Sequence, residues 1–141
     1  MREIKFRAWN KEMKYMSPVG QLNGMKSVLI YVPEQTSEDG DFDWNGDVIP
    51  MEKVELMQFT GLLDKNGKEI YEGDIVLHDD ILFKGVKGVC IFHRDGFLLD
   101  RIESEEWPNA HVIFGRVSSS SQVIGNIYEN PELLVPPPTN I

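Results

Sequence analysis

The sequence predicts a mostly β protein: an N-terminal β-hairpin region, then a small β-barrel, with at most short helical turns. Three observations carry this. Apolar residues recur at period two rather than at helical spacing, as in Val54-Glu55-Leu56-Met57-Gln58-Phe59, where alternate side chains leave opposite faces of an extended chain. The apolar runs are short and rich in β-branched residues, as in Val28-Leu29-Ile30-Tyr31-Val32 and Ile75-Val76-Leu77. Turn formers separate the runs, with Asn66-Gly67, Glu72-Gly73-Asp74 and Arg94-Asp95-Gly96 each lying between two of them.

Taken in order, Ile4, Phe6 and Ala8 alternate with Lys5, Arg7 and Trp9, so the first strand is expected to turn Ile4, Phe6 and Ala8 toward a core. Asn10-Lys11-Glu12 turns it, Met13 to Met16 pairs back, and Ser17-Pro18-Val19-Gly20 is expected to end that hairpin. Val28 to Val32 reads as a strand buried on both faces and closed by Pro33, and Glu34 to Asp47 as a long acidic loop. The strand from Val54 is expected to stop at Thr60-Gly61. A primed hairpin turn with positive φ at both Asn66 and Gly67 follows, then a left-handed kink at Gly73 that Asp74 secures through an Asx-type hydrogen bond. Further strands are read at Ile81 to Phe83, Val86 to Phe92, Phe97 to Leu99, His111 to Phe114 and Val123 to Ile127, with Ser118 to Ser121 as a linker. Asn130-Pro131 has the layout of an N-cap and first helical position, so one helical turn is expected there, and Pro136-Pro137-Pro138 cannot continue it. The expected organisation is residues 1–53 as an N-terminal β region, 54–134 as a barrel domain, and 135–141 as a disordered tail.

Composition narrows the function classes. A chain of 141 residues buries roughly two-thirds of its unfolded surface, enough for a core without metal or disulfide staples. One cysteine, Cys90, permits no internal disulfide and sits in an apolar run with no electropositive neighbour, so it reads as a structural thiol in a reducing compartment. No apolar leader follows Met1 and no run is long enough to span a bilayer, so a cytoplasmic location away from membranes is expected. The net charge of −9 argues against a sequence-independent grip on nucleic acid. The charge is uneven, because residues 1–26 hold six basic side chains against two acidic ones, leaving −13 on the rest. Lys5, Arg7 and Trp9 share one strand face, and a tryptophan beside arginine is a composition that interface cores favour, so these three are the candidate interface of a homo-oligomer.

The sharpest local motif is Asp41 to Glu52, which matches the spacing of an EF-hand calcium loop with Asp41, Asp43, Asn45, Asp47 and Glu52 as oxygen donors and Gly46 at the sharp turn. Its flanks do not match, since Pro33 and the polar segment after it stand where an incoming helix belongs and Ile49-Pro50 where the exit helix starts. The expectation is a plain acidic loop, with no metal and no cofactor. His78, His93 and His111 are far apart in sequence, and rim or core histidines are commoner than a converged metal site. No nucleophile with its base and no phosphate loop is present in the sequence, so no catalytic residue is assigned.

One resemblance covers most of the chain. Leu56-Met57-Gln58-Phe59-Thr60-Gly61-Leu62 and the run from Asp64 to Val76, with Ile4 to Asn10 and Val123 to Leu134 at the two ends, resemble the YopX-like family of phage and prophage proteins. Residues 18 to 53 and 79 to 122 match more loosely. The resemblance implies a β-rich protein with an SH3-like barrel in its C-terminal part, encoded by a phage or prophage and working in the host cytoplasm, with no activity to carry over. The leading expectation is a non-catalytic accessory protein that acts through protein contacts. A nucleic-acid-handling module using Arg2, Lys5, Arg7 and Trp9, and a hydrolase or calcium-binding protein using the acidic loop, are the alternatives.

Overall fold

The computed structural model describes residues 3–23, 26–31, 46–79, 85–93, 96–102, 111–113 and 120–134. The expected strand at Ile81 to Phe83, most of the acidic loop, the turn residues Arg94 and Asp95, and the proline tail lie outside them. The chain is mostly β, with antiparallel strands in two sheets and two short 3-10 turns among the described residues. It divides into two compact units, residues 4–58 and the chain from Phe59 onward.

The first unit holds β1 (Phe6–Asn10), β2 (Tyr15–Asn23), β3 (Ser27–Tyr31), β4 (Gly46–Pro50) and the opening of β5 (Val54–Leu63), in the order β4-β3-β2-β1-β5. Ala8, Val28 and Val54 are buried together, with Tyr15, Val19, Ile49, Met51 and Leu56 packed around them. Two expectations are corrected here. Ile4 is not committed to a core but is 71% exposed, because it precedes the first paired residue of β1. The second strand does not end at Ser17-Pro18 but runs to Asn23. Pro18 is tolerated because it pairs with Arg7 on one side, while pairing to β3 begins only at Val19 opposite Ile30. β4 also begins inside the expected acidic loop, with Asp47 opposite Ile30.

β5 does not stop at Thr60-Gly61. It bulges there, with a register shift between Phe59 and Leu63, and continues. Gly61 supplies φ +87, a region that side chains with a Cβ rarely enter. The hydroxyl of Thr60 secures the irregularity by donating to the Ile70 carbonyl at 2.7 Å and accepting from the Leu62 N–H at 3.2 Å. The burial parity changes along the strand, since Val54 is buried on one alternation and Met57 and Phe59 on the other.

In the second unit, β6 (Glu69–Tyr71) pairs with the end of β5, and a sheet ordered β10-β9-β8-β7-β11 is made by β7 (Asp74–His78), β8 (Val86–His93), β9 (Gly96–Arg101), β10 (His111–Ile113) and β11 (Ser121–Asn126). Among the described residues no pairing joins β10 to β11, and no closed barrel is found among them. Ile70, Val76, Val86, Cys90, Leu99 and Val123 form its core. Ser121 is not linker but the first residue of β11, fully buried with its Oγ 2.9 Å from His78 Nδ1. Asn130 precedes the expected single turn, observed as a 3-10 turn over Pro131–Leu134.

The reversal between β5 and β6 differs in type from the expected one. Gly67 has φ +81, but Asn66 does not have positive φ. Gly67 N–H donates to Asp64 O at 3.0 Å and Asp64 N–H to Lys68 O at 2.7 Å, which is the three-residue loop ending in a left-handed glycine. Asp64 decides this choice. Its Oδ1 accepts the N–H of Asn66 at 2.8 Å and of Lys68 at 2.9 Å, and its Oδ2 accepts the N–H of Val123, 59 residues away, at 2.9 Å. A primed two-residue turn has no place for that carboxylate.

Two outcomes follow. At Gly67 nothing lies within 4 Å of an added Cβ, so Gly67→Val meets no clash and its cost is backbone strain, about 1 kcal/mol or somewhat more, read as a lowered melting temperature. For Asp64, burial raises the pKa, but the N–H groups of Val123, Lys68 and Asn66, with the Lys68 ammonium, outweigh it and hold the pKa below the ordinary 3.8. A depressed carboxyl pKa gives stability that is fully present above the unfolded value and is lost as pH falls through the folded one. Asp64→Ala is therefore expected to lower the stability by about 3 kcal/mol at neutral pH. In urea titrations the gap to wild type should stay constant on descending to about pH 5 and narrow below the ordinary carboxyl range.

Candidate functional site

The first unit carries an open concavity of about 470 Å³ lined by Asn10, Glu12, Met13, Tyr15, Val48, Ile49, Pro50 and Lys53. Its walls come from the β1–β2 turn on one side and from β4 with the 3-10 turn Met51–Lys53 on the other. Asn10, itself buried, shapes the first wall: its Oδ1 accepts the N–H of Glu12 at 3.1 Å and of Met13 at 3.0 Å, while its carbonyl accepts Lys14 N–H at 2.8 Å. Lys14 adopts φ +55, a conformation that costs a non-glycine residue about 1 kcal/mol and that these bonds maintain. The two walls are tied by Lys11 N–H to Lys53 O at 3.0 Å and Lys11 Nζ to Glu52 O at 3.3 Å.

The chemistry of the concavity is apolar at the rim and paired elsewhere. Met13 is 70% exposed and Val48 63% exposed, both large for side chains with no polar atom to solvate. The nearby cations have partners: Lys11 lies 3.0 Å from Glu55 and Lys53 3.5 Å from Glu12. Tyr15 OH stands 3.4 Å from Asn10 Nδ2. An arrangement of this kind can bind an apolar side chain or an extended segment; it presents no base aligned on a nucleophile.

A family model described as YopX protein matches residues 5–135. The chain belongs to the YopX family. Among solved structures it is similar to protein EF1440 from Enterococcus faecalis, with 26% identity over 96% of this chain and 100% of that one at a TM-score of 0.62. It is also similar to protein yopX from Bacillus subtilis, with 22% identity over 98% and 100% at a TM-score of 0.49. No curated protein matches. All eight residues of the concavity fall within the span that the YopX model covers.

The candidates read from the sequence of this YopX family member are placed as follows. Arg7 and Trp9 are half-buried in β1, which is paired on both sides; Arg7 lies opposite Pro18 and Met57, and Trp9 opposite Met16 and Glu55. Lys5, also half-buried, precedes them. Of the calcium-spaced set, Asp41, Asp43 and Asn45 lie outside the described residues, Asp47 is in β4, and Glu52 is exposed in the 3-10 turn. The strand register separates the histidines. His78 faces Val86 at one end of β8, His93 is at the other end, and His111 lies opposite Asp100 across β9. Tyr71 OH donates to Glu69 Oε2 at 3.1 Å and Tyr71 N–H to Asp74 Oδ2 at 2.8 Å, the latter the Asx-type bond expected at that kink.

The concavity itself was not among the sequence candidates. Its available signals were an apolar Met13 within a polar turn and the apolar Val48-Ile49-Pro50 directly after an acidic run. Because Asn10 holds the turn that forms one wall, Asn10→Ala is expected to strip two N–H groups of their acceptor. The resulting loss of about 2 kcal/mol should appear in chemical denaturation. Accelerated amide exchange at Glu12 and Met13 should accompany it, and no change at β11.

Proposed function

We propose that this YopX family protein is a phage- or prophage-encoded accessory protein that works in the host cytoplasm by holding another protein and performs no covalent chemistry. The observation that carries the reading is the concavity of the first unit, where exposed Met13 and Val48 line a surface together with Tyr15, Ile49 and Pro50. Exposed apolar side chains at a concave surface, with the neighbouring charges paired, are the makeup of a contact site for a protein segment. Self-association through Lys5, Arg7 and Trp9 belongs to the same reading, with the −13 carried outside residues 1–26 as the complementary surface.

The second unit fits the reading as an SH3-type barrel. In the order β10-β9-β8-β7-β11, four successive strands meander and the last returns beside the first, and that order supports the assignment. Small barrels of this type bind through loops and sheet edges. Nucleic acid, through Arg2, Lys5, Arg7 and Trp9, is the weaker alternative, because the chain carries a net charge of −9.

The experiment is affinity capture from induced host cells with the wild type and with Met13→Asp/Val48→Asp, both positions being exposed enough for the fold to persist. A partner retained by the wild type and lost by the double variant at unchanged melting temperature is expected. Equal capture by both proteins would remove the concavity from the function. Light scattering on the same samples checks self-association, which Arg7→Glu is expected to reverse.

A further inference from the structure

β11 is the last strand of its sheet, paired with β7 on one side only among the described residues. In an antiparallel pair every second residue turns its N–H and C=O away from the partner, so an edge strand offers a row of backbone groups on which another strand can build. On β11 those groups are bonded, but not to a strand. Ser121 O accepts the N–H of Lys65 at 2.9 Å, and Val123 N–H donates to Asp64 Oδ2 at 2.9 Å. One residue that donates to position i and receives from position i+2 is the pattern of a parallel bridge, and here the Asp64 carboxylate replaces the carbonyl of the missing strand. Further along, Asn126 N–H donates to Asn130 Oδ1 at 3.2 Å. That same oxygen lies 2.6 Å from where a Cβ on Gly125 would stand, so a glycine at 125 lets Asn130 pack against the strand.

We propose that Asp64 and Asn130 are a guard that closes the edge of β11 to strand addition, and that the partner they exclude is β11 of a second copy of this chain, paired antiparallel about a two-fold axis. The segment Ser121-Gln122-Val123-Ile124-Gly125-Asn126 carries no charge and no proline, the two devices that most often protect an edge. The strand at the edge of the first unit has both, in Asp47 and Pro50. A second copy is the matching partner because antiparallel self-pairing needs only backbone complementarity and places like residues symmetrically, with no charge to repel. Protection of β11 therefore rests on groups from outside the strand.

Asp64→Asn tests this without dismantling the β5–β6 turn. The amide keeps an oxygen for the N–H groups of Asn66 and Lys68, while its NH₂ meets the N–H of Val123, donor against donor. The expected result is a protein that melts cooperatively, shows twice the wild-type mass by light scattering as concentration rises, and gains concentration-dependent amide protection at 121–126. A folded Asp64→Asn at the wild-type mass, with the Val123 amide exchanging freely at every concentration, overturns the proposal. Asn130→Ala, which leaves Asp64 in place, is read in the same way for the Asn126 amide and decides the matter if Asp64→Asn does not fold.

Discussion

The second unit depends on one buried carboxylate. Asp64 gathers three backbone N–H groups, two from its own loop and one from β11, so a local turn and a contact 59 residues away are fixed by the same side chain. Burial alone disfavours its charge, yet the charged form wins because the N–H groups of Val123, Lys68 and Asn66 and the Lys68 ammonium favour it. The consequence reaches past the turn. With Lys65 N–H on Ser121 O, the loop positions β11, and through β11 it seats Ser121 against His78 and Val123 in the core. The loop conformation and the placing of the last strand are one interaction seen from two ends.

A second constraint is the bulge in β5. β5 pairs regularly with β1 through Val54 to Gln58 and with β6 at Phe59 and Leu63, and the register shift lies within the β6 pairing, where Thr60 and Gly61 stand. An unbroken ten-residue ladder would hold a single alternation throughout. The positive φ of Gly61 and the Thr60 hydroxyl on Ile70 O absorb the shift, so the chain keeps its hydrogen bonds on both sides of the irregularity.

The legible part of the sequence was what period-two patterning and turn chemistry can express. The β class, the left-handed Gly73 with its Asx bond from Asp74, the buried Cys90 and the single turn after Asn130 all depend on neighbours within a few residues. The misread features share a different cause. Thr60-Gly61 looks the same locally whether a strand ends or bulges, and only the partner β6 distinguishes the two. Asn66-Gly67 satisfies the primed-turn rule locally, but the choice of turn was made by Val123, which no local rule includes. Ser121 reads as linker among serines, and its burial comes from His78 on another strand. The concavity was hidden for the same reason, since Met13 and Val48 are far apart in sequence and only the β1–β2–β3–β4 meander brings their segments together.

The polar residues that a search for chemistry would select are committed to the backbone. Asn10, Asp64, Asp74 and Asn126 are all buried, and each accepts one or more main-chain N–H groups at a reversal of the chain. Asn130 does the same for Asn126. Moving a carboxylate or carboxamide engaged in this way would release the turn that it holds. The buried His78 and Ser121 are likewise closed from solvent against each other. In the described parts of this fold, exposed apolar side chains remain for contact with another molecule, and Met13 and Val48 are two of them that line a concave surface. This division of roles, polar groups for the turns and apolar groups for the surface, is the physical basis of the proposal that this YopX family protein works by contact.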